Sequence, residues 1–350
     1  MGSKTSDGAG RMKIYRTDGS GRPDGIVVED AVVPEPGAGE VAVRIHAVAL
    51  NYLDLKVIAG TFPGGRAGLV PLSDAAGEVV ATGPGVTTLR VGDRVTSTFF
   101  PRWQAGTITE AARRIIPGST VDGVMQEVAV FREGAVVPAP PGLDWAEAAT
   151  LPCAALTGWQ MLTGARPVLP GETVLVQGTG GVALFALQFA KAAGARVIAT
   201  TSSAEKAARL RAMGAEAVID YRATPEWGDE VRRLTEGLGA DHVLEIGEPG
   251  TLQQSVRAAA IGAQINLVGR PVGAPPVDPA LMMGAMGATY RRIAVGSRAD
   301  FLAMNRAIAA LDLHPVIDRR FGADEVTEAL RHFAKRGQFG KVVIHLAGPA

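Results

Sequence analysis

The chain has 350 residues, 47% of them hydrophobic, and its 35 Lys plus Arg balance 35 Asp plus Glu for a formal net charge of zero. That length predicts roughly two domains of about 150 residues each, and the balanced charge argues against nucleic acid or an anionic membrane as partner, since both call for a basic excess. A single cysteine, Cys153, excludes an internal disulfide and any zinc site built from several cysteines, and no apolar run reaches the roughly 18 residues of a membrane span.

Residues 1–11, MGSKTSDGAGR, are polar and glycine-rich and lack the apolar stretch of a secretory signal. They read as a flexible leader on a soluble, cytoplasmic, globular protein. Residues 12–144 read as short strands and turns. EVAVRIHAVAL places Val41, Val43, Ile45, Ala47 and Ala49 on one face, and Gly77, Gly83, Gly85 and Gly92 then break the pattern, as in a small, strongly curved barrel. Residues 145–296 alternate strand and helix. Strands are expected at 173–177, 196–200, 217–220, 241–246, 263–268 and 291–296, with helices near 181–193, 204–213, 226–236 and 250–260. Strands separated by such helices predict a parallel sheet. The segment 297–350 holds two amphipathic helices and a last strand, KVVIHL. The strand at RRIAVGS (291–297) ends the parallel set, and an apolar edge strand invites pairing with a copy of itself. A homodimer is therefore expected.

The densest signal is Gly178-Thr179-Gly180-Gly181-Val182-Ala183, which fits G-x-G-x-x-A between an apolar strand and a helix. In a dinucleotide-binding fold the first glycine makes the turn, the second lets a pyrophosphate approach the backbone, and the third position needs a small residue for helix–strand packing. The exposed N–H groups and positive dipole end of the helix then hold the phosphates. The alternative is a turn that is merely tight. The end of the next strand carries Thr200, Thr201, Ser202 and Ser203, with no acid before Glu205. A ribose 2′-hydroxyl asks for an acid there, whereas hydroxyls with Lys206 suit a 2′-phosphate. NADP is expected over NAD. A solvated helix face is the other reading of Lys206 and Arg209.

NYLDLKVIAG (51–60), AGEVVATGPGVTTLRVGDRV (76–95), LPCAALTGWQML (151–162), the glycine turn and the closing FGKVVI together resemble the medium-chain dehydrogenase/reductase superfamily. They look most like its zinc-independent quinone oxidoreductase branch. The resemblance covers nearly the whole chain after residue 12. It implies a GroES-like catalytic domain at 12–144, a Rossmann domain at 145–296, a cleft holding NADPH between them, and a segment 297–350 that returns to the catalytic domain. It also implies that Thr157 lies under the nicotinamide and that Tyr221 lies by the 2′-phosphate.

In the zinc alcohol dehydrogenases of this superfamily a Cys, a His and a second Cys hold a catalytic zinc. Their places here are taken by Asn51, Ser73 and Cys153. An amide, a hydroxyl and one thiol do not make the three-ligand set that catalytic zinc requires. The four-cysteine structural lobe is replaced by residues 99–119, which contain no cysteine. The histidines at 46, 242, 314, 332 and 345 sit at no motif position, and the acidic pairs Glu29–Asp30 and Asp229–Glu230 read as solvated surface. No metal is expected.

The resemblance implies that Asn51 and Tyr52 face the nicotinamide and substrate. Asn51 can donate a hydrogen bond to cofactor or carbonyl. Tyr52 can stabilise a developing enolate or deliver a proton, or be a packing ring. Asp54 is expected to orient its neighbours. Phe99, Phe100 and Trp103 form an aromatic cluster that either lines a pocket or packs a core. The expected activity is NADPH-dependent reduction of a quinone or α,β-unsaturated carbonyl without metal. Metal-free alcohol oxidation, and NADPH binding with little turnover, stay open.

Overall fold

In the computed structural model, residues 10–23, 25–246, 250–268 and 279–346 are described. Residues 1–9 of the expected leader, 1–11, lie outside them, and Arg11 already belongs to the first strand. The chain forms two compact units: residues up to Cys153 together with those from Ser297 onward, and Ala154–Gly296.

The first unit opens with the hairpin partners β1 (Arg11–Thr17) and β2 (Ile26–Val32), which pair antiparallel. Then come β3 (Glu40–Ala49), α1 (Tyr52–Ile58), β4 (Asp74–Thr82), β5 (Arg94–Ser97), α2 (Glu110–Arg113), β6 (Val128–Arg132), β7 (Val136–Pro138) and α3 (Trp145–Ala149). The expected alternation in β3 is real, but Ala42 and Val48 are buried as well, because β3 pairs with β4, β6 and a later strand at once. Its register against β4 shifts at Ala42/Val43 and Ile45/Ala47, and such bulges bend a sheet. Gly77 is needed at this crossing, since a Cβ there would lie 2.1 Å from the Arg44 carbonyl.

α3 belongs to the first unit, although a boundary before Trp145 is the sequence expectation. The Trp145 ring stacks on His46 at 4.4 Å and carries the Arg94 guanidinium at 4.1 Å. A π-helical turn, Leu151–Ala155, follows.

The second unit continues with α4 (Leu156–Thr163), β8 (Thr173–Gln177), α5 (Gly181–Ala192), β9 (Arg196–Thr201), α6 (Ala204–Ala212), β10 (Ala217–Asp220), α7 (Trp227–Leu234), β11 (Ala240–Glu245), α8 (Thr251–Ala258), β12 (Ala259–Val268), α9 (Pro279–Met282) and β13 (Thr289–Ile293). Its strands pair in parallel in the order β10-β9-β8-β11-β12-β13. Counted within the unit this is 3-2-1-4-5-6, the doubly wound dinucleotide-binding order. Apolar Val174, Leu175 and Val176 are fully covered, as are Val243 and Leu244, as expected of strands that bury both faces. β13 is an edge strand. It stops at Ile293, short of the expected 296, and Val295 takes φ +58°, which no β-branched residue adopts within a strand.

The last segment adds α10 (Arg298–Ala310), β14 (Ile317–Gly322), α11 (Val326–Ala334) and β15 (Lys341–His345). β15 pairs parallel with β14 and antiparallel with β3, giving the sheet order β14-β15-β3-β4-β5-β7 with β6 also on β3. Val342, Val343 and Ile344 are fully buried there. The fold is thus a GroES-like barrel domain and a Rossmann-type parallel sheet. Among the described residues no helix is long and apolar enough to cross a membrane.

Candidate active site

The order reversal in the parallel sheet falls between β8 and β11, and ligands of such sheets bind outside the strand ends at that point. β8 runs directly into Gly178, whose φ is +74° and whose N–H donates to the Thr200 carbonyl at 2.9 Å. The left-handed conformation turns the chain sharply and favours glycine. Thr179 is buried. Gly180 is the N-cap of α5, and a Cβ added to it would meet nothing within 4 Å. This open approach leads to the first turn of a helix, whose leading N–H groups at Gly181, Val182 and Ala183 have no helical acceptors. The turn fits a dinucleotide pyrophosphate. Thr157 is buried in the first turn of α4.

At the end of β9 the hydroxyls divide their work. Ser203 caps α6, its Oγ accepting from the Lys206 N–H at 3.3 Å. Ser202 instead receives the Tyr221 hydroxyl at 3.0 Å. Tyr221 and Ser202 are thereby brought together beside the N-terminus of α6, where Lys206 also stands. At the end of β11, Glu245 is a buried carboxylate that no motif in the sequence singles out. It accepts from Thr251 Oγ1 and Ser255 Oγ, each at 2.6 Å, so its role is to fasten α8 to the sheet.

In the first unit, Asn51, Asp54, Ser73, Asp74 and Lys341 are all buried. Asn51 is the N-cap of α1, yet its side chain makes no cap bond. Asp54 caps in the reverse sense, its Oδ2 accepting from the Asn51 N–H at 2.6 Å. The Lys341 ammonium donates to the Asn51 Oδ1 at 2.7 Å and to the Leu50 carbonyl at 2.5 Å. Asp74 accepts from Ser73 Oγ at 2.7 Å and from the Cys153 N–H at 3.1 Å. Burial raises the Asp54 carboxyl to about 7 and also raises that of Asp74, in both cases against the pull of Lys341. Burial and the Asp74 carboxylate push the Cys153 thiol well up, which disfavours the thiolate that a nucleophile or metal ligand requires.

Tyr52 is 48% exposed, so it is not a packing ring. Its hydroxyl accepts from the Arg336 guanidinium, and its ring lies 4.7 Å from that guanidinium and 5.0 Å from the Lys56 ammonium. Phe99 and Phe100 are buried and meet edge to face at 4.8 Å. A cavity of about 590 Å³ lined by Arg102, Gln104, Ile115 and Phe131 includes neither them nor any candidate site residue.

A catalytic zinc does not fit the place where Asn51, Ser73 and Cys153 stand. The amide oxygen is taken by an ammonium, the Ser73 hydroxyl is donated to Asp74, and the thiol is held protonated. Among the described residues no cluster of His, Cys, Asp and Glu could hold a metal. The histidines are dispersed: His242 bonds Glu172, His314 bonds Glu147 and His332 bonds Asp318.

Residues 37–141 match the family described as alcohol dehydrogenase GroES-like domain, and residues 181–310 match that described as zinc-binding dehydrogenase. A zinc-type alcohol dehydrogenase-like protein of Schizosaccharomyces pombe is 40% identical over 332 residues, covering 92% of this chain and 96% of that one. The crystal structure of an NAD-dependent alcohol dehydrogenase is 32% identical with a TM-score of 0.85, covering 96% of this chain and 100% of the other. A mycobacterial protein complexed with NADPH is 27% identical with a TM-score of 0.80, again covering 96% and 100%. With two family matches that span both units and a relative of this identity along nearly its whole length, this chain belongs to the medium-chain dehydrogenase/reductase superfamily and is an oxidoreductase of it.

Proposed function

We propose that this protein is an NADPH-dependent reductase of quinones or α,β-unsaturated carbonyls that works without metal. The carrying observation is the Lys341 ammonium seated 2.7 Å from Asn51 Oδ1, where zinc relatives keep a metal ligand. A simple aldehyde or alcohol needs a Lewis acid to carry charge on its oxygen. A quinone or enone spreads that charge over its own π-system and asks only for one or two hydrogen-bond donors. The cofactor, when bound, supplies the hydride. The glycine turn at 178–182 and Thr157 would hold it, and Ser202, Tyr221 and Lys206 would bind its 2′-phosphate.

The protein's own groups then have separate tasks. Asn51 Nδ2 donates to the substrate oxygen. Asp54 fixes the backbone of Asn51 at the start of α1. The Tyr52 hydroxyl accepts from Arg336 and so keeps its own proton available for the reduced product.

Turnover with NADPH against quinones, enones and aldehydes, and with NADP⁺ against primary alcohols, tests this. Tyr52→Phe should lower kcat by roughly 10²-fold if the hydroxyl delivers a proton, with little change in NADPH affinity. Efficient oxidation of primary alcohols with quinones and enones untouched would overturn the assignment.

A further inference from the structure

Lys341 begins β15 and is 3% exposed. An ammonium is buried at this depth only when it is paired and hydrogen-bonded. Its Nζ reaches the Leu50 carbonyl at 2.5 Å and the Asn51 Oδ1 at 2.7 Å, and Asp54 and Asp74 lie close enough to interact with its charge.

The second of those bonds competes with a local one. Asn at an N-cap ordinarily turns its Oδ1 to accept a backbone N–H from the first helical turn. Here the Asp54 N–H bonds the Asn51 backbone carbonyl at 3.0 Å, and the Asn51 side chain, though placed as in a capping box, makes no cap bond of normal geometry. Lys341 is the donor that holds the amide oxygen in normal geometry, at 2.7 Å.

Fixing one end of a planar amide fixes the other. Asn51 is 7% exposed and its Nδ2 is a buried donor with no hydrogen-bond partner. It lies toward the Asp74 carboxylate, whose charged form it favours as a donor, but outside normal hydrogen-bond geometry. A buried donor left unpaired is costly, and it is a feature that a bound acceptor atom would relieve.

We propose that Lys341 is a positioning residue: by holding Asn51 Oδ1 it presents Asn51 Nδ2 as a hydrogen-bond donor to the carbonyl oxygen of the substrate, where negative charge develops. This rests on the reductase reading above. It places the cation one side chain away from the substrate, where it orients and polarises an amide.

A double-mutant cycle tests it on the full chain. Asn51→Ala should lower kcat on an enone or quinone by about 10²-fold, as loss of one preorganised donor does. Lys341→Met should lower it by at least about tenfold while the NADPH dissociation constant, read by fluorescence titration, moves less than about threefold. The double variant should be no slower than Asn51→Ala alone, because Lys341 acts only through Asn51. Lys341→Gln, which keeps a neutral donor, should recover part of the loss. Additive losses, or unchanged kcat in Lys341→Met, would overturn the proposal. Where Lys341→Met does not fold, Lys341→Gln takes its place in the cycle. Crystal structures supply a second readout: the Asn51 amide oxygen should close to normal hydrogen-bond distance on the Asp54 N–H once Lys341 is replaced, and an unmoved amide refutes the positioning role. Wild-type protein inactive on every quinone and enone would overturn the reductase reading instead, and the orientation of the Asn51 amide would then decide the positioning claim alone.

Discussion

Choice of nicotinamide cofactor offers the sharpest test of the second unit. The end of β9 has no acid to hold a ribose 2′-hydroxyl, and the Tyr221 hydroxyl lies 3.0 Å from Ser202 Oγ. Both hydroxyls can rotate to donate to a 2′-phosphate. A hydrogen bond to a charged group contributes about 1.5–3 kcal/mol, so the pair should be worth a factor on the order of 10²–10⁴ in affinity at tenfold per 1.4 kcal/mol. Ser202→Ala with Tyr221→Phe should therefore weaken NADPH by that factor and leave NADH unchanged, since NADH has no phosphate for them to meet. Ser203→Ala is the contrasting perturbation. Its Oγ already accepts the Lys206 N–H as the cap of α6, so it should cost about 1 kcal/mol of stability and change cofactor preference far less. Titration calorimetry with both cofactors reads the first effect and urea midpoints the second. Equal dissociation constants for NADPH and NADH in the wild type would refute the reasoning, as would a double variant that weakens both cofactors alike.

Three further outcomes are expected. Burial raises Asp54 to about 7, above the roughly 3.9 of an unfolded aspartate, so the stability it contributes is full below pH 4 and is lost as pH rises through 7; Asp54→Asn should flatten the fall in urea midpoint between pH 4 and 7, and parallel curves would contradict the buried carboxyl. Elemental analysis of tag-free protein should find well under one zinc per chain, and a stoichiometric zinc whose removal abolishes activity would reverse the account of Asn51 and Ser73. Light scattering at micromolar concentration should give about twice the chain mass of 36.2 kDa, through pairing at the β13 edge; the single-chain mass would rule the dimer out.

The parallel sheet was legible because its signals are local. Apolar runs, helical spacing and a glycine cluster each occupy a few residues, and five of the six expected strands overlap those observed closely. β14 was not anticipated, since IDRRFG shows no alternation and its polar Arg319 and Arg320 are exposed. α1 was also missed as a helix, hidden by the strand-like reading of its surroundings. Asn51, Tyr52 and Asp54 were singled out through resemblance, whereas Lys341 was not singled out at all. At the head of KVVIHL it reads as the charged end of a strand, and only the pairing of β15 with β3 carries it to a residue 290 positions away. Similarly, sequence made Ser202 and Ser203 equivalent. Backbone geometry separated them, one as a helix cap and one as the partner of Tyr221.

The barrel is built from two ends of the chain, with the parallel-sheet unit encoded as one uninterrupted stretch between them. During synthesis that middle stretch has all of its strands in hand before the last segment leaves the ribosome, and domains generally fold as units in the order in which they emerge. The barrel has to wait. The Ala47–Ala49 end of its β3 edge stays open until β15 docks, and contacts of such sequence separation form slowly because the loop must close first. Until then that end of β3 is an open apolar edge, a hazard for misassociation. Because Lys341 lies in that same closing strand, the polar cluster around Asn51 is completed by the last folding step, so a chain stalled or clipped before β15 can hold a folded parallel-sheet unit while that cluster stays incomplete.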